Sequence, residues 1–250
     1  MMSSNDDRVA LVTGGSRGVG RAIVEALSAQ NIRVAFCYRT DADAAERCAR
    51  DVRDRHGVEP LVIQADVTVE EDRGTLVESV HRTLGGPHVL VNNAGTTDDG
   101  VAFRMKDAWD RVLSLDLTAP FRLAQLTIRH MMRNGWGRII TIGSIAARLG
   151  FPGQVNYTAA KAGVEGMTRS LAQEYGRRGI TVNTVSPGFV ETDLTRDVGE
   201  MARTYVEHYS ALGRCVTAES VAALVAFLAS EASWAITGQT INVDGGLVKL

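Results

Sequence analysis

The fold is decided by residues 9–20, which read VALVTGGSRGVG. Val9–Thr13 is a short apolar run typical of a buried strand, and the glycine-rich turn after it opens an amphipathic stretch. Glycine permits a positive φ and a close backbone approach, while a helix N-terminus favours an anion. A tight strand-to-helix turn also uses glycine, but its place at the start of a βαβ unit favours a nucleotide phosphate site. The predicted phosphate turn contains Gly14, Ser16, Arg17, Gly18, Val19 and Gly20.

The same alternation of strand and helix continues along the chain. Strands are predicted at 9–13, 33–38, 61–65, 88–92, 137–143, 181–186 and 239–243. Helices are predicted near 18–30, 42–56, 69–84, 106–133, 154–178 and 218–229. Several strands are continuous apolar runs, which indicates burial on both faces and hence a parallel sheet covered by helices. The sequence therefore predicts one α/β domain over residues 1–250, with a doubly wound parallel sheet of about seven strands and helices on both faces.

Composition excludes several other classes of protein. The chain has 250 residues, is 45% hydrophobic and carries a net charge of −2, so neither a disordered chain nor a nucleic-acid-binding surface is expected. Its three cysteines and five histidines show no metal-ligand spacing, and sparse cysteines are typical of a reducing compartment. Residues 1–7 are polar and acidic, unlike a signal peptide, and we expect them to be flexible. The longest apolar stretch, Val221–Ala229, is far shorter than the ~20 residues of a membrane span, so a cytoplasmic enzyme is expected.

The end of the second strand predicts the type of cofactor. An acidic residue there usually binds a free ribose 2′-hydroxyl, whereas a basic residue suits a 2′-phosphate. Here the strand ends in Tyr38 and Arg39, and Arg17 lies in the glycine turn. Arg39 is also compatible with a solvated loop charge, and Asp41 and Asp43 resemble caps of the next helix. The two cations favour NADP(H) over NAD(H).

Two further strand ends contribute candidate cofactor residues. Asp66 and Val67 follow the third strand, and Asp66 is placed either to accept a hydrogen bond from an adenine amino group or to cap the next helix. Asn93, Ala94 and Gly95 follow the fourth strand, where the pair Asn92 and Asn93 either satisfies loop backbone groups or ties neighbouring strands together. Gly95 is expected to let the backbone pass close to the ribose.

Three residues after the fifth strand have the chemistry of a carbonyl–alcohol enzyme. Tyr157 and Lys161 are four residues apart, which places them on one helix face, and Ser144 follows a strand end. A free tyrosine has a pKa of about 10, and a neighbouring cation favours its phenolate. Tyr157 is then the proton donor and Ser144 the hydroxyl that holds a carbonyl oxygen. A Tyr-x-x-x-Lys pair alone is a weak signal, since helices often carry one by chance.

The motifs together resemble the short-chain dehydrogenase/reductase family. The resemblance rests on TGGSRGVG at 13–20, NNAG at 92–95, Ser144, Tyr157-x-x-x-Lys161 and Pro187-Gly188. Stretches at 104–107, 130–132, 137–140, 179–183, 186–193 and 236–240 are similar to those of 3-oxoacyl-[acyl-carrier-protein] reductases. The family implies a Rossmann-type domain, usually a homotetramer, in which Ser144, Tyr157 and Lys161 are catalytic. It further implies that Lys161 binds the nicotinamide ribose and that Pro187, Gly188, Val190 and Thr192 lie against the nicotinamide.

One position departs from the family pattern. Most members have an asparagine where this chain has Asp116, and that asparagine helps to hold a water that links the lysine to solvent. We expect Asp116 to preserve this relay, for example through its backbone carbonyl. An ionised carboxylate facing Lys161 would instead favour the ammonium and weaken its effect on Tyr157.

The remaining expectations concern the substrate and its partners. Residues 189–215 contain few strand-forming residues and are predicted to form a lid. An acidic carrier protein would meet basic side chains, although a surface arginine is more often only solvated. The candidates are Arg129, Arg133, Arg138, Arg177 and Arg178. The resemblance also implies that outer faces of the 106–133 and Tyr157 helices pair across a dimer.

The leading hypothesis is an NADPH-dependent ketoreductase that reduces a 3-oxoacyl thioester, presented by an acyl carrier protein, in fatty-acid or polyketide-type synthesis. One alternative is a short-chain alcohol dehydrogenase or carbonyl reductase for a free small molecule. A weakly catalytic cofactor-binding protein is the third, supported by Asp116 alone. Nothing in the sequence reveals the acyl chain length.

Overall fold

The computed structural model describes residues 8–190 and 199–249. Its strands are β1 Val9–Thr13, β2 Arg33–Tyr38, β3 Leu61–Gln64, β4 Val89–Asn92, β5 Gly137–Ile142, β6 Ile180–Pro187 and β7 Thr240–Val243. Its helices are α1 Gly18–Ser28, α2 Ala42–His56, α3 Glu70–Leu84, α4 Asp107–Leu113, α5 Ala119–Asn134, α6 Ala146–Leu149, α7 Val155–Tyr175, α8 Gly199–Tyr209 and α9 Ala218–Ala229. Short 3-10 turns occupy Ala102–Arg104, Gly176–Arg178 and Glu231–Ser233.

The seven strands form one parallel sheet in the order β3-β2-β1-β4-β5-β6-β7. The strand order reverses between β1 and β4, so the crevice at their carboxyl ends is the place where such a sheet binds ligands. The predicted Rossmann-type α/β fold is confirmed, with strand ends within one or two residues of those predicted.

Apolar side chains cover both faces of the sheet. Ala10 and Val12 of β1 pack with α1, α2 and α9, whereas Val9 and Leu11 point to the other face with α3, α5 and α7. Successive residues of a strand alternate between faces, so a strand that is apolar throughout needs helices on both sides. This double burial explains why the first strand reads as an unbroken apolar run.

The helix predicted near 106–133 is helical throughout 107–134, but it contains a π-helical turn that was not predicted. It is divided into α4, a π-helical turn at Ser114–Thr118 and α5, with Pro120 in the first turn of α5. A π turn inserts one extra residue into the helical repeat and is frequent at functional sites. The chain uses this turn to place a carboxylate, as described below.

Two short helices, α6 and α8, were not expected from the sequence pattern. Helix α8 lies within the predicted lid at 189–215, whose residues 191–198 fall outside the described part of the chain, as do residues 1–7. In the described ranges, no helix has the length and apolar character needed to cross a bilayer. No cluster of three or more metal-ligating side chains occurs in those ranges either.

Candidate active site

The site begins at the seam between β1 and β4, where Asn93 ties two loops together. Its side-chain amide donates to the carbonyls of Thr13, at 2.9 Å, and Gly14, at 3.0 Å. The backbone N–H groups of Asn93 and Ala94 donate to the Thr13 hydroxyl, each at 3.0 Å. Asn92 reaches in the other direction, to the hydroxyl of Thr141 on β5, at 3.3 Å. Asn93 therefore supports the glycine turn, as one of its two sequence interpretations proposed, and Thr13 is a partner that sequence reasoning missed.

The glycines of the turn are needed for packing as well as for backbone conformation. Gly14 and Gly18 have φ values of +64° and +54°, in the region that favours glycine. A Cβ on Gly20 would lie 2.1 Å from the Gly14 carbonyl oxygen, and a Cβ on Gly15 would lie 2.5 Å from Cβ of Phe36. The turn is thus folded directly onto α1 and β2, and Gly15 and Gly20 have no room for a larger residue.

The N-terminus of α1 fits a cofactor pyrophosphate. Arg17 occupies the cap position in an extended conformation, and its own side chain makes no capping hydrogen bond. The first N–H groups of a helix lack intrahelical partners, so a helix end beside a glycine turn suits an anion. Ser16 is buried in the turn, and Val19 packs against the core.

At the end of β2, Arg17 and Arg39 are both exposed, and Tyr38 is half-buried. The Arg39 guanidinium lies 4.0 Å from the Asp66 carboxylate. Asp41 caps α2 by accepting from the N–H of Ala44 at 2.9 Å, as the sequence predicted.

Asp66 orders the turn that follows β3. Its carboxylate accepts from the hydroxyl of Thr68 at 2.7 Å and from the Thr68 N–H at 2.9 Å. Burial acts to raise the pKa of Asp66, but these hydrogen bonds and Arg39 outweigh burial and lower it. The cap position of α3 is Val69, so Asp66 does not cap that helix directly. Val67 is buried beside it, and contact of either residue with adenine stays a prediction.

The three catalytic candidates come together at the carboxyl edge of β5. Ser144 follows β5, and Tyr157 and Lys161 project from one face of α7. The Lys161 Nζ lies 5.4 Å from the centre of the Tyr157 ring, and the Ser144 hydroxyl acts to lower the pKa of the Tyr157 phenol. Lys161 is 5% exposed and donates to the carbonyl of Ile142 at 2.9 Å.

Asp116 joins this group from the π-helical turn. Its Oδ1 lies 3.0 Å from the Lys161 Nζ, and its Oδ2 accepts from the N–H of Thr96 at 3.1 Å. A Cβ on Gly95 would lie 2.6 Å from Asp116 Oδ1, so the absence of a side chain at Gly95 makes room for the carboxylate. The expectation for Gly95 was a close approach to ribose, and the contact found is with Asp116. The carboxylate itself meets Lys161, whereas a relay through the Asp116 backbone carbonyl stays a prediction.

Comparison with known proteins identifies the family. The family model described as "Enoyl-(Acyl carrier protein) reductase" matches residues 14–248. A 3-oxoacyl-[acyl-carrier-protein] reductase, FabG, of Pseudomonas aeruginosa is 44% identical over 96% of this chain and 97% of its own length. The chain belongs to the short-chain dehydrogenase/reductase family. Reductases of the same name from Salmonella typhimurium and Escherichia coli are each 41% identical, over 98% and 97% of this chain respectively and 98% of their own lengths.

Within this short-chain reductase site, burial and charge act on each ionisable group. Burial raises the pKa of Tyr157, Lys161 opposes the rise, and Asp116 adds to it. Burial acts to lower the pKa of Lys161, but Asp116 and Tyr157 outweigh burial and hold it above its ordinary value. Lys161 acts to lower the pKa of Tyr157, as expected, but burial and Asp116 outweigh its effect.

The segment that is expected to lie against the nicotinamide ends β6 and continues after it. A Cβ on Gly188 would lie 2.9 Å from Cα of Asp244, so this glycine permits a close approach of two backbones. The Pro187 carbonyl accepts from the N–H of Ile145 at 3.1 Å, which fixes this segment relative to the Ser144 loop. Val190 is buried, whereas Thr192 lies outside the described residues. Nicotinamide contact by these residues stays a prediction.

Aromatic residues connect the expected lid to the substrate side of the reductase. The Phe151 ring centre lies 5.8 Å from that of Phe189 and 6.3 Å from that of Tyr205 on α8. Tyr205 therefore packs onto the segment that precedes Tyr157. The cluster holds α8 against this segment, and a lid over the site stays a prediction.

Asn156 is a positioning residue that sequence reasoning missed. It is fully buried, and its amide donates to the carbonyls of Asp98, at 3.1 Å, and Ala108, at 3.2 Å. These bonds fix the first turn of α7, and hence Tyr157, against the loop after β4 and against α4. A polar residue directly before Tyr157 was the only signal available in the sequence.

The basic surface expected for a carrier protein needs correction. Arg138 is 2% exposed, pairs with Glu231 at 3.6 Å and stacks on Trp136 at 4.3 Å, so it is a buried structural residue. The other four arginines are exposed at the ends of α5 and α7, near the start of β5 and β6. That edge of the sheet is opposite the catalytic edge, so within one chain they do not border the site.

Proposed function

We propose that this chain is an NADPH-dependent reductase of 3-oxoacyl thioesters carried by an acyl carrier protein, in fatty-acid synthesis. The observation that carries the proposal is the grouping of Ser144, Tyr157 and Lys161 at the same sheet edge as the glycine turn. The names of the similar proteins supply the substrate class. The cytoplasm is the proposed location, as expected from the sparse cysteines.

In this reaction, residues of the chain hold the substrate carbonyl and donate the proton to its oxygen. A bound NADPH supplies the hydride that the carbonyl carbon receives. The Ser144 hydroxyl donates a hydrogen bond to the carbonyl oxygen, and the Tyr157 O–H gives its proton to that oxygen as negative charge develops. Lys161, held by Ile142 and Asp116, stabilises the phenolate that remains.

A substrate panel separates this proposal from its alternatives. The description of the matched family model names an enoyl reductase, so the panel contains enoyl and 3-oxoacyl thioesters, each on the carrier protein and on a small thiol, together with simple ketones. We expect NADPH oxidation to be fastest with the carrier-linked 3-oxoacyl substrate. Preference for a simple ketone would support a carbonyl reductase, and no turnover of any substrate would support the weakly catalytic protein.

Cofactor preference is tested at the two exposed arginines. We expect the double variant Arg17→Ala/Arg39→Ala to raise the KM for NADPH by about tenfold or more, because a hydrogen bond to a charged group contributes about 1.5–3 kcal/mol. The KM for NADH should change little, since NADH lacks the 2′-phosphate. Steady-state kinetics with each cofactor gives both values. Arg50→Ala, an exposed arginine on α2, is the matched control and should leave both values unchanged. An equal loss with NADH would contradict the proposed phosphate site.

We further propose a homotetramer in which one interface is formed by the outer faces of α5 and α7. A groove of about 410 Å³ lies between them and is lined by Leu117, Phe121 and Met167, among others. Phe121 is 36% and Leu126 41% exposed, although both are large apolar residues. Large apolar side chains exposed on the same helix as such a groove support an interface here.

This assembly predicts the effect of a charge in the groove. Phe121→Glu should convert the tetramer into smaller species, because it removes a large apolar side chain from the groove and adds a charge that must be desolvated at the interface. Size-exclusion chromatography with light scattering measures the mass. Val69→Glu, at an exposed apolar position outside the groove, should remain tetrameric. A monomeric wild-type protein would contradict the proposal.

A further inference from the structure

The catalytic lysine is paired with a carboxylate that is almost completely buried. Asp116 is 1% exposed, and its Oδ1 lies 3.0 Å from Nζ of Lys161. The other oxygen, Oδ2, is fixed by the N–H of Thr96. A buried charge without a partner is costly, so this geometry stabilises Lys161 as an ammonium ion.

The surrounding chain is built around this pair. The π-helical turn Ser114–Thr118 sets the direction of Asp116, and Gly95 leaves the space that Oδ1 occupies. Lys161 is held from its other side by the carbonyl of Ile142. The pair is therefore fixed by three separate segments of the chain.

We infer that Asp116 is a positioning residue that holds Lys161 charged and retains the Tyr157 proton to a higher pH than a neutral side chain at this position would allow. The role for the Tyr157 proton rests on the proposed reductase function. Two carboxylates and one ammonium act on the phenol: Lys161 favours phenolate, whereas Asp116 and the more distant Asp99 disfavour it. The Ser144 hydroxyl also favours phenolate. Asp116 is the buried carboxylate of the two, and it acts at the ammonium itself.

The sign of the effect follows from this arrangement. Burial raises the pKa of Asp116, although Lys161 and the Thr96 N–H oppose the rise. Once Asp116 is ionised, the pair has no net charge, and Lys161 attracts the phenolate less strongly than an unpaired ammonium would. Removal of the carboxylate leaves the positive charge uncompensated, so the first proton of the coupled Tyr157–Lys161 pair should leave at lower pH. In carbonyl reduction the tyrosine must enter protonated, so its loss of a proton sets the upper pH limit of the reaction.

The test measures the proton directly, in the full-length protein without substrate. Near-ultraviolet phenolate absorbance is titrated in the wild type and in Asp116→Asn, and each titration is corrected by the same protein carrying Tyr157→Phe. We expect the Tyr157 midpoint to shift to lower pH in Asp116→Asn. Asp99→Asn is the matched control, since it removes an exposed carboxylate that acts on Tyr157 without touching Lys161, and its shift should be smaller. An unchanged or raised midpoint in Asp116→Asn would overturn the inference.

A second neutral variant and a second measurement make the result independent of any single substitution. Asp116→Ser removes the charge with a smaller side chain and should shift the midpoint in the same direction, while circular dichroism verifies that each variant is folded. In turnover, the loss of kcat/KM at high pH should begin at lower pH in both variants. The absorbance titration needs no substrate, so failure to reduce 3-oxoacyl thioesters would refute the proposed function and leave this result standing. Opposite shifts in the two neutral variants would overturn the inference.

Discussion

Replacement of Tyr157 by phenylalanine should lower kcat/KM for the 3-oxoacyl substrate by about 10³-fold, within the range that a positioned proton donor contributes. The phenol is the only group among Ser144, Tyr157 and Lys161 that is placed to give its proton to the oxygen held by Ser144. Phenylalanine keeps the ring that packs on α7, so the fold and the ammonium of Lys161 should be preserved. NADPH oxidation measures the rate, and quenching of protein fluorescence measures cofactor binding, which should be unchanged.

The same helix offers a matched control for this variant. Tyr175 ends α7, about five turns from Tyr157, and packs partly buried against the core beneath the sheet. Tyr175→Phe also removes one phenolic hydroxyl from α7, but it should leave kcat/KM within a factor of about two, because surface substitutions usually change energies by less than 0.5 kcal/mol. If Tyr157→Phe kept more than about a tenth of the wild-type activity, Tyr157 would not be the main proton donor.

Substitution of Gly20 by alanine should damage the protein even though alanine favours helices. In a helix interior, alanine is more favourable than glycine by about 0.8–1.0 kcal/mol. At Gly20, however, the new Cβ would lie 2.1 Å from the Gly14 carbonyl and 2.5 Å from the Asn93 amide. The turn must move away from α1, which breaks the Asn93 hydrogen bonds and widens the phosphate turn. We expect a loss of stability of about 2–4 kcal/mol, typical of overpacking combined with a lost buried hydrogen bond.

Gly74 provides the contrasting substitution. It lies within α3, and a Cβ there would meet no atom within 4 Å. Gly74→Ala should therefore raise the free energy of unfolding by about 0.5–1 kcal/mol, the ordinary gain in a helix interior. Urea denaturation of both variants measures the difference, and calorimetric titration with NADPH should show weaker binding only for Gly20→Ala. A stabilised Gly20→Ala protein would contradict the packing of the turn.

The sequence predicted the sheet because its strands are buried on both faces. Runs such as Ile139–Ile142 carry that signal directly, and the parallel order followed from the helices between strands. The π turn within the 106–133 helix was missed, because its one extra residue hardly disturbs the apolar periodicity around it.

Contacts between distant segments were the other part that the sequence could not supply. The spacing of Tyr157 and Lys161 was enough to predict that they lie on one helix face. That Gly95 makes room for Asp116, or that Gly15 packs on Phe36, depends on which segments meet in three dimensions. The burial of Arg138 was likewise hidden, because an arginine is usually exposed and its partner Glu231 is far along the chain.

The hydrogen bonds of the Asn93 amide limit which segments can be exchanged between related enzymes. The amide bonds the carbonyls of Thr13 and Gly14 and sits where a side chain on Gly20 would otherwise be. The two halves of the sheet are therefore not interchangeable modules, although each has its own crossover helices. A chimera that takes β1 and α1 from one parent and β4 from another would need a matching residue on each side of this seam. Residues 14, 20 and 93 must therefore be exchanged together, although they are far apart in the chain.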